Sequence, residues 1–218
     1  DTAAVTFITH GIKTALSLLE DRVHRQFRLM DGPLRLTATG RQNLVTVWSQ
    51  PTDSMLKPMM KRSDNFFSEQ TLLMVADSLT GELNEQAAIN HLLQNDFKGF
   101  PQQPRWVDGS GLSRYNLISP DDFVWLLDKM RNEFPFERIQ SLFPTAGEGT
   151  LRSYTRPANA RLYAKTGSLS GVVTLSGYLV SNSGKTYIFS ILINNHNSSP
   201  SAIRKQLDTF LLQLAERR

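Results

Sequence analysis

Two tripeptides, Ser63-Asp64-Asn65 and Lys165-Thr166-Gly167, combine side chains that can transfer protons and bind polar groups. A serine hydroxyl beside a lysine ammonium group can pass a proton to a reacting atom, and an asparagine amide can hydrogen-bond an amide of a substrate. The two tripeptides lie far apart in the sequence. The fold must therefore bring them together before they can act jointly.

The elements that must position the first tripeptide are predicted to be helices. Apolar residues recur at three- and four-residue steps over Phe7 to Phe27 and Phe66 to Leu79, which predicts a helix in each range. Asp53 or Ser54 is predicted to cap a short helix that ends at Lys61, just before the tripeptide. Further helices are predicted over Asn84 to Gln94, Ser119 or Pro120 to Met130, and Phe136 to Leu142.

The second tripeptide ends or lies on the first of three β-rich runs. Branched and aromatic residues concentrate in Arg161 to Ala164, Val172 to Val180 and Thr186 to Ile193. Leu44 to Trp48 predicts a further strand, and Ala202 to Ala215 predicts a closing amphipathic helix. Helices followed by an antiparallel block and a last helix indicate the α+β class.

The composition is that of an ordinary globular domain and excludes several classes of function. Of the 218 residues, 40% are hydrophobic and 20% are charged, and no cysteine is present for disulfides, zinc ribbons or thiol catalysis. The net charge of +4 comes from scattered basic residues rather than a basic stripe, so no nucleic-acid partner is expected. The histidines lie far apart without metal-ligand spacing, so no metal site is expected.

The tripeptides and their surroundings resemble one branch of the penicillin-binding proteins, the low-molecular-mass D-alanyl-D-alanine carboxypeptidase/endopeptidases of the class C type. They are similar to the second and third of three signatures that this superfamily shares with serine β-lactamases. The resemblance runs from about Trp48 to the C-terminal helix and implies a transpeptidase/β-lactamase-like antiparallel sheet flanked by helices, incomplete in this chain. The stretches that carry it are Met59 to Asn65, Asp108 to Arg114 with Asn116-Leu117, and Lys165 to Gly171 with Gly177-Tyr178.

The resemblance implies a role for each tripeptide in acyl transfer from a D-Ala-D-Ala peptide bond. Ser63 would relay a proton toward the leaving amine, Asn65 would bind the substrate amide, and Lys165 would supply positive charge beside the relay. The substrate-binding residues would be Thr166, Gly167 and Ser168. The two hydroxyls would hold the substrate carboxylate, the glycine would let the substrate lie close to the strand, and the N–H of Ser168 would stabilise the oxyanion.

The resemblance also implies a nucleophilic serine in a Ser-x-x-Lys motif far upstream, and no such motif fits ahead of Ser63. Residues 1–218 are therefore expected to be the C-terminal part of the catalytic domain, with 1–50 at the junction to inserted accessory domains. The nucleophile is expected on a missing N-terminal part of the same protein. Ser54-Met55-Leu56-Lys57 matches the motif literally. On a continuous helix Ser54 lies about 13 Å and half a rotation from Ser63, so it is expected to cap the helix instead.

These expectations describe the C-terminal catalytic half of a penicillin-sensitive serine D-Ala-D-Ala carboxypeptidase or endopeptidase. Its substrate would be a peptidoglycan stem peptide ending in D-Ala-D-Ala, in the periplasm or another extracytoplasmic space. The resemblance implies no metal and no organic cofactor. β-Lactam antibiotics would acylate the full-length protein, whereas this chain alone is expected to be inactive. Two alternatives stay open. A β-lactamase-like hydrolase would hydrolyse penicillin quickly, and a non-catalytic module would bind peptidoglycan without a covalent step.

Overall fold

The computed structural model describes residues 12–29, 48–156 and 159–216, and the chain divides into two compact units. The first unit, Asp1–Trp48, contains helix α1 (Ile12–Val23), none of whose residues is buried. The predicted strand Leu44 to Trp48 lies outside the described residues except for Trp48. Within the described ranges, no helix combines the length and apolar content that a membrane span requires.

The second unit, Ser49–Arg218, places helices before an antiparallel sheet and one helix after it. The first helices are α2 (Asp53–Arg62), α3 (Asn65–Thr80), α4 (Glu85–Gln94), α5 (Pro120–Glu133) and α6 (Phe136–Leu142), with a 3-10 turn at Gly149–Leu151. The strands are β1 (Arg161–Leu169), β2 (Val172–Val180) and β3 (Thr186–Asn194), and the last helix is α7 (Pro200–Ala215). Every helix and strand predicted for this unit is present.

The strands are ordered β1-β2-β3, and each neighbouring pair is antiparallel. In the register of β1 and β2, Lys165 lies opposite Ser176 and Gly167 lies opposite Thr174. The β-rich run Arg161 to Ala164 is the start of β1, which continues through the second tripeptide, so the tripeptide lies on the strand. Lys165 and Gly167 have weak strand propensity, but pairing with the apolar β2 extends the strand through them.

Residues that alternate along the strands divide the core into two apolar layers, one on each face of the sheet. On one face, Leu162 and Ala164 of β1 belong to a buried cluster with Ile203 of α7. On the other face, Tyr178 of β2 belongs to a cluster with Leu127 of α5 and with residues of α2 and α6. The predicted antiparallel sheet flanked by helices is confirmed, and the sheet in the described residues has the three strands that the sequence predicts.

Candidate active site

The first tripeptide occupies the turn between α2 and α3. Ser63 ends α2 in a left-handed conformation, with φ 54° and ψ 55°, which is uncommon for a residue other than glycine. Asp64 caps α3, because its carboxylate accepts a hydrogen bond from the N–H of Phe67 at 3.1 Å. Asn65 is the first residue of α3 and is exposed. Asp64 thus has a structural role, while the serine and the asparagine lie at a helix end and a helix start.

Helix α2 is anchored at both ends by later segments of the chain. At its start, Arg138 of α6 donates three hydrogen bonds to the carboxylate of Asp53 at 2.8 to 3.2 Å, and these bonds lower the pKa of Asp53. At its end, Lys61 Nζ donates to Glu148 Oε1 at 2.8 Å. Gly149 lies so close that a Cβ on it would be 2.3 Å from the carbonyl oxygen of Lys61. The turn after α2 is therefore held against the loop at residues 148–149.

The start of α2 corrects one sequence prediction. The N-cap is Thr52, not Asp53 or Ser54, and the Asp53 carboxylate is occupied by its ion pair with α6. Ser54 is exposed in the first turn of the helix, whereas Ser63 follows its last residue. The helix rise between them is about 13 Å. That separation keeps the literal Ser-x-x-Lys match away from the rest of the site.

Lys165 of β1 joins the two tripeptides. Its Nζ donates a hydrogen bond to Ser63 Oγ, 102 residues away in the sequence, and another to the carbonyl oxygen of Thr166 at 3.0 Å. Burial lowers the pKa of Lys165, because removal from water disfavours the charged ammonium group. Since Ser63 Oγ accepts from the lysine, its own proton is free to be donated to a third group.

The outer edge of β1 is covered before Lys165 and open after it. The N–H of Ala164 donates to the carbonyl oxygen of Pro144 at 3.1 Å, so the preceding segment crosses the edge there. In an antiparallel strand every second residue directs its N–H to the same side, which directs the N–H of Ser168 to this outer edge as well. No strand among the described residues pairs with β1 beyond Lys165 on that side.

The close approach that requires glycine at position 167 comes from the neighbouring strand. A Cβ on Gly167 would lie 2.4 Å from Oγ1 of Thr174 on β2. Ser168 is exposed at the open end of the strand, and its Oγ accepts a hydrogen bond from Arg204 Nη2 at 2.7 Å. The expected approach of a substrate to the glycine, and its contacts with Thr166, stay predictions.

Two carboxylates order the loop at residues 108–116, one from within the loop and one from α3. Asp108 accepts from the N–H groups of Gly111 and Ser113 at 2.6 and 2.7 Å. Glu69 of α3 accepts from the N–H groups of Gly109 and Ser110 at 2.9 and 3.0 Å. The bonds to Glu69 hold the loop against α3, the helix that begins at Asn65. Sequence reasoning missed Glu69. The one signal in the sequence is that an acidic side chain lies in the first turns of the helix that follows the first tripeptide.

The sequence matches the D-Ala-D-Ala carboxypeptidase 3 (S13) family over residues 11–214. The chain belongs to this family. It is 31% identical to the D-alanyl-D-alanine carboxypeptidase DacB of Haemophilus influenzae, covering 69% of this chain and 33% of that protein. It is 32% identical to the D-alanyl-D-alanine carboxypeptidase of Actinomadura sp. (strain R39), covering 77% of this chain and 32% of that protein. The chain thus spans about a third of the length of these curated S13 relatives.

Solved structures give the same assignment for this S13 chain. The crystal structure of penicillin-binding protein 4 of H. influenzae in complex with a β-lactam is similar to it, with a TM-score of 0.62 and 31% identity. That match covers 76% of this chain and 41% of the other. A class A β-lactamase of Bacteroides cellulosilyticus matches with a TM-score of 0.53 and 17% identity over 74% of this chain and 62% of the other, which supports the fold alone.

Proposed function

We propose that this chain supplies the second and third signatures of a serine D-Ala-D-Ala carboxypeptidase that acts on peptidoglycan stem peptides. The observation that carries the proposal is the hydrogen bond from Lys165 Nζ to Ser63 Oγ. It joins two short signatures from distant parts of the sequence into one hydroxyl–ammonium pair beside an open strand edge. Such a pair can deliver a proton to a leaving amine, which is the step that acyl transfer from a peptide bond requires.

Each residue of the site then has a definable task. A serine from outside this chain attacks the carbonyl carbon of the penultimate D-Ala, and the C–N bond breaks to leave an acyl-enzyme and the terminal D-Ala. Ser63 gives its proton to the departing nitrogen and takes up in return the proton that the attacking serine releases, while Lys165 supplies positive charge beside this relay. Asn65 hydrogen-bonds the substrate amide. Water then hydrolyses the ester, which restores the nucleophile and releases the shortened peptide.

Three parts of the proposal extend beyond the residues described. The nucleophile and its lysine lie on an N-terminal part of the same protein, because Ser54 is separated from Ser63 by the length of α2. β-Lactams acylate that nucleophile, as similarity to a penicillin-binding protein supports. The full-length protein acts on cross-links as an endopeptidase or on free stem peptides as a carboxypeptidase, in the periplasm or another extracytoplasmic space, where peptidoglycan lies.

The experiment that tests the proposal is intact-mass spectrometry after incubation with benzylpenicillin. We expect a stable penicilloyl adduct on the full-length protein that contains this sequence, and an unchanged mass for this chain alone. Lys165→Met in the full-length protein should slow adduct formation about 100-fold or more, because the proton relay loses its cation. The matched control is Lys57→Met, which removes the lysine of the literal Ser-x-x-Lys match and should leave the rate unchanged.

Each contrary outcome selects a different explanation. An adduct on this chain alone that disappears in Ser54→Ala would show that Ser54 is the nucleophile. Rapid turnover of penicillin by the full-length protein, without accumulation of an adduct, would favour a β-lactamase-like hydrolase. Binding of a D-Ala-D-Ala peptide by the full-length protein with no adduct at all would favour a non-catalytic module.

A further inference from the structure

A cleft of about 450 Å³ opens beside the start of β1, and the proposed reaction does not use it. It is lined by the segment at residues 145–146, by Arg156 and by residues 159–163. Neither Ser63 nor Lys165 lines it. Arg161, which does, lies about 13 Å along the strand from Lys165. A ligand in this cleft would therefore contact β1 upstream of the second tripeptide.

Arg156 is held in one orientation at the wall of the cleft. Its Nε donates to the carbonyl oxygen of Ala146 at 2.9 Å. A Cβ on Gly147 would lie 2.5 Å from the same Nε, so the guanidinium group packs against the glycine backbone. Within the described residues, no hydrogen bond engages its two Nη nitrogens. Arg156 therefore presents fixed, free N–H donors, which suit the oxygens of a carboxylate or a phosphate.

Arg161, the first residue of β1, adds a second positive charge to the cleft. Its side chain is exposed, and no ion pair in the described ranges includes Arg156 or Arg161. The acidic side chains beside this segment are engaged elsewhere. Glu148 forms its ion pair with α2, and both oxygens of Asp208 accept from Thr155. Two cations without acidic partners in a concave surface attract an anion.

The size and the polar lining of the cleft indicate what kind of anion fits. Its volume lies in the range of about 300–1,000 Å³ that is usual for small-ligand sites. A lone carboxylate or phosphate group fills only part of that space. The amide of Asn159 and the hydroxyl of Thr145 also line the cleft, and both can donate and accept hydrogen bonds. The cleft thus has room and polar contacts for the sugar or amino-acid unit that carries the anion.

We propose that this cleft binds an anionic group of the cell-wall polymer, a carboxylate or a phosphate, through Arg156 and Arg161. The choice of polymer rests on the proposed function, which places the protein at peptidoglycan. A carboxylate would come from an acidic residue of a stem peptide, and a phosphate from a polymer attached to the wall. Bound there, the polymer holds the protein at the wall whether or not a scissile bond lies at the Ser63–Lys165 pair.

The test is co-sedimentation of the full-length protein that contains this sequence with isolated peptidoglycan sacculi. Benzylpenicillin is present throughout, so that an acylated active site does not contribute to binding. We expect Arg156→Gln to raise the apparent Kd for sacculi about tenfold, the loss of one charge-assisted contact. Arg161→Gln should raise it by a similar factor. The matched control is Arg152→Gln, which removes an exposed arginine of the same segment that does not line the cleft and should leave the Kd unchanged.

Pretreated sacculi identify the anion. Hydrofluoric acid removes phosphate-linked polymers, and amidation neutralises free carboxylates. The treatment that weakens wild-type binding to the level of Arg156→Gln identifies the source. If the wild type binds doubly treated sacculi as tightly as untreated ones, or if neither arginine variant weakens binding, the anion site is wrong. If Arg156→Gln does not fold, Arg161→Gln decides alone, because the Arg161 side chain makes no hydrogen bond or ion pair within the described residues.

Hydrolysis of an acetylated tripeptide that ends in D-Ala-D-Ala tests the proposed function separately. If the wild type hydrolyses this peptide while both arginine variants bind sacculi as the wild type does, the inference fails and the proposed function stands. If the wild type hydrolyses nothing while both variants lose binding, the anion site stands and the proposed function fails.

Discussion

The turn around Ser63 and the strand around Lys165 are held in place by different means. Ser63 lies between two helices in a left-handed conformation, and the end of α2 is contacted by Glu148 and Gly149 from a distant loop. Lys165 lies inside a ladder in which every residue from Arg161 to Leu169 has a partner on β2. The site thus joins a turn that is held by a few contacts from one loop to a strand that is held by many equivalent contacts along its length.

This difference predicts where the site is vulnerable. A ladder loses little when one of its contacts is removed, because the neighbouring pairs keep the register. A turn whose backbone conformation is uncommon persists only while its surroundings hold it. Changes at the supports of the Ser63 turn should therefore cost more, in stability and in acylation, than single changes beside the strand.

The largest effect is expected for Gly149→Ala. A Cβ at this position would lie 2.3 Å from the carbonyl oxygen of Lys61, and the φ of 52° is unfavourable for alanine. The backbone cost and the overpacking together should lower the free energy of unfolding by about 3 kcal/mol. Urea denaturation of this chain measures the loss. In the full-length protein, the same change should slow benzylpenicillin acylation, because it displaces the turn that carries Ser63.

Gly184→Ala is the matched control for that change. Gly184 also has a positive φ, 84°, but no atom lies within 4 Å of a Cβ built on it. Only the backbone cost remains, about 1 kcal/mol, and acylation should not change. Equal losses in the two variants would contradict the idea that the turn depends on close packing against the loop.

The elements of the second unit were largely predictable because their signals are local. Helices α3, α4 and α6 and strand β2 follow from periodicity and branched residues that lie within each segment. Whether Lys165 to Gly167 ends the first β-rich run or lies on β1 could not be decided from the sequence, because the full length of β1 depends on pairing with β2. The cap of α2 was missed for a related reason, since Asp53 is used by Arg138, 85 residues further on.

The residues of the candidate site also divide into those with a local sequence signal and those without one. The tripeptides were found because residue types and order suffice to recognise them. The residues that hold or extend the site come from separate segments and have no local signal: Glu69, Glu148, Gly149 and Arg204. A single charged residue or glycine in a loop or helix is ordinary in any sequence. Only the fold shows which of them lie against the segments that carry or adjoin the tripeptides.

A smaller loss of stability is expected for Tyr178→Phe, in the middle strand of the sheet. The hydroxyl of Tyr178 is buried and donates to the carbonyl oxygen of Leu127 at 2.6 Å. Removing it takes away a buried hydrogen bond that adds to the helical bonding of that carbonyl group, and should lower the free energy of unfolding by about 1.5 kcal/mol. Acylation in the full-length protein should be unchanged, because the register that places Lys165 stays intact. A large loss of acylation would show that the strand is no better supported than the turn.

Tyr154→Phe is the control for the loss of a buried tyrosine hydroxyl. Tyr154 is buried too, and burial raises its pKa to about 12. Its hydroxyl has no hydrogen-bond partner among the described residues. Removing it should leave the stability unchanged or raise it, since an unpaired buried polar group is unfavourable. A loss as large as that of Tyr178→Phe would mean that the ring packing, not the hydrogen bond, sets both values.

The smallest expected change in the free energy of unfolding is at Lys165 itself. Its direction separates the part that Lys165 plays in acylation from its effect on stability. Burial lowers its pKa from the ordinary value of 10.5, so the folded state disfavours the charged form that the unfolded chain holds. At neutral pH the burial of the charge opposes folding, and Lys165→Met should raise the free energy of unfolding by about 1 kcal/mol while it slows acylation. As the pH rises through the lowered pKa toward 10.5, the folded lysine loses its proton first and the wild type regains stability.

Urea denaturation of both proteins between pH 7 and pH 10.5 measures that trend. The advantage of Lys165→Met should shrink steadily as the pH rises, whereas the exposed Lys205→Met should show no comparable convergence with the wild type. A difference that grows with pH would mean that contacts of the charged lysine, with Ser63 above all, stabilise the fold more than burial opposes it. The stability of β1 would then depend on its contact with the Ser63 turn, just as that turn depends on its contacts with residues 148–149.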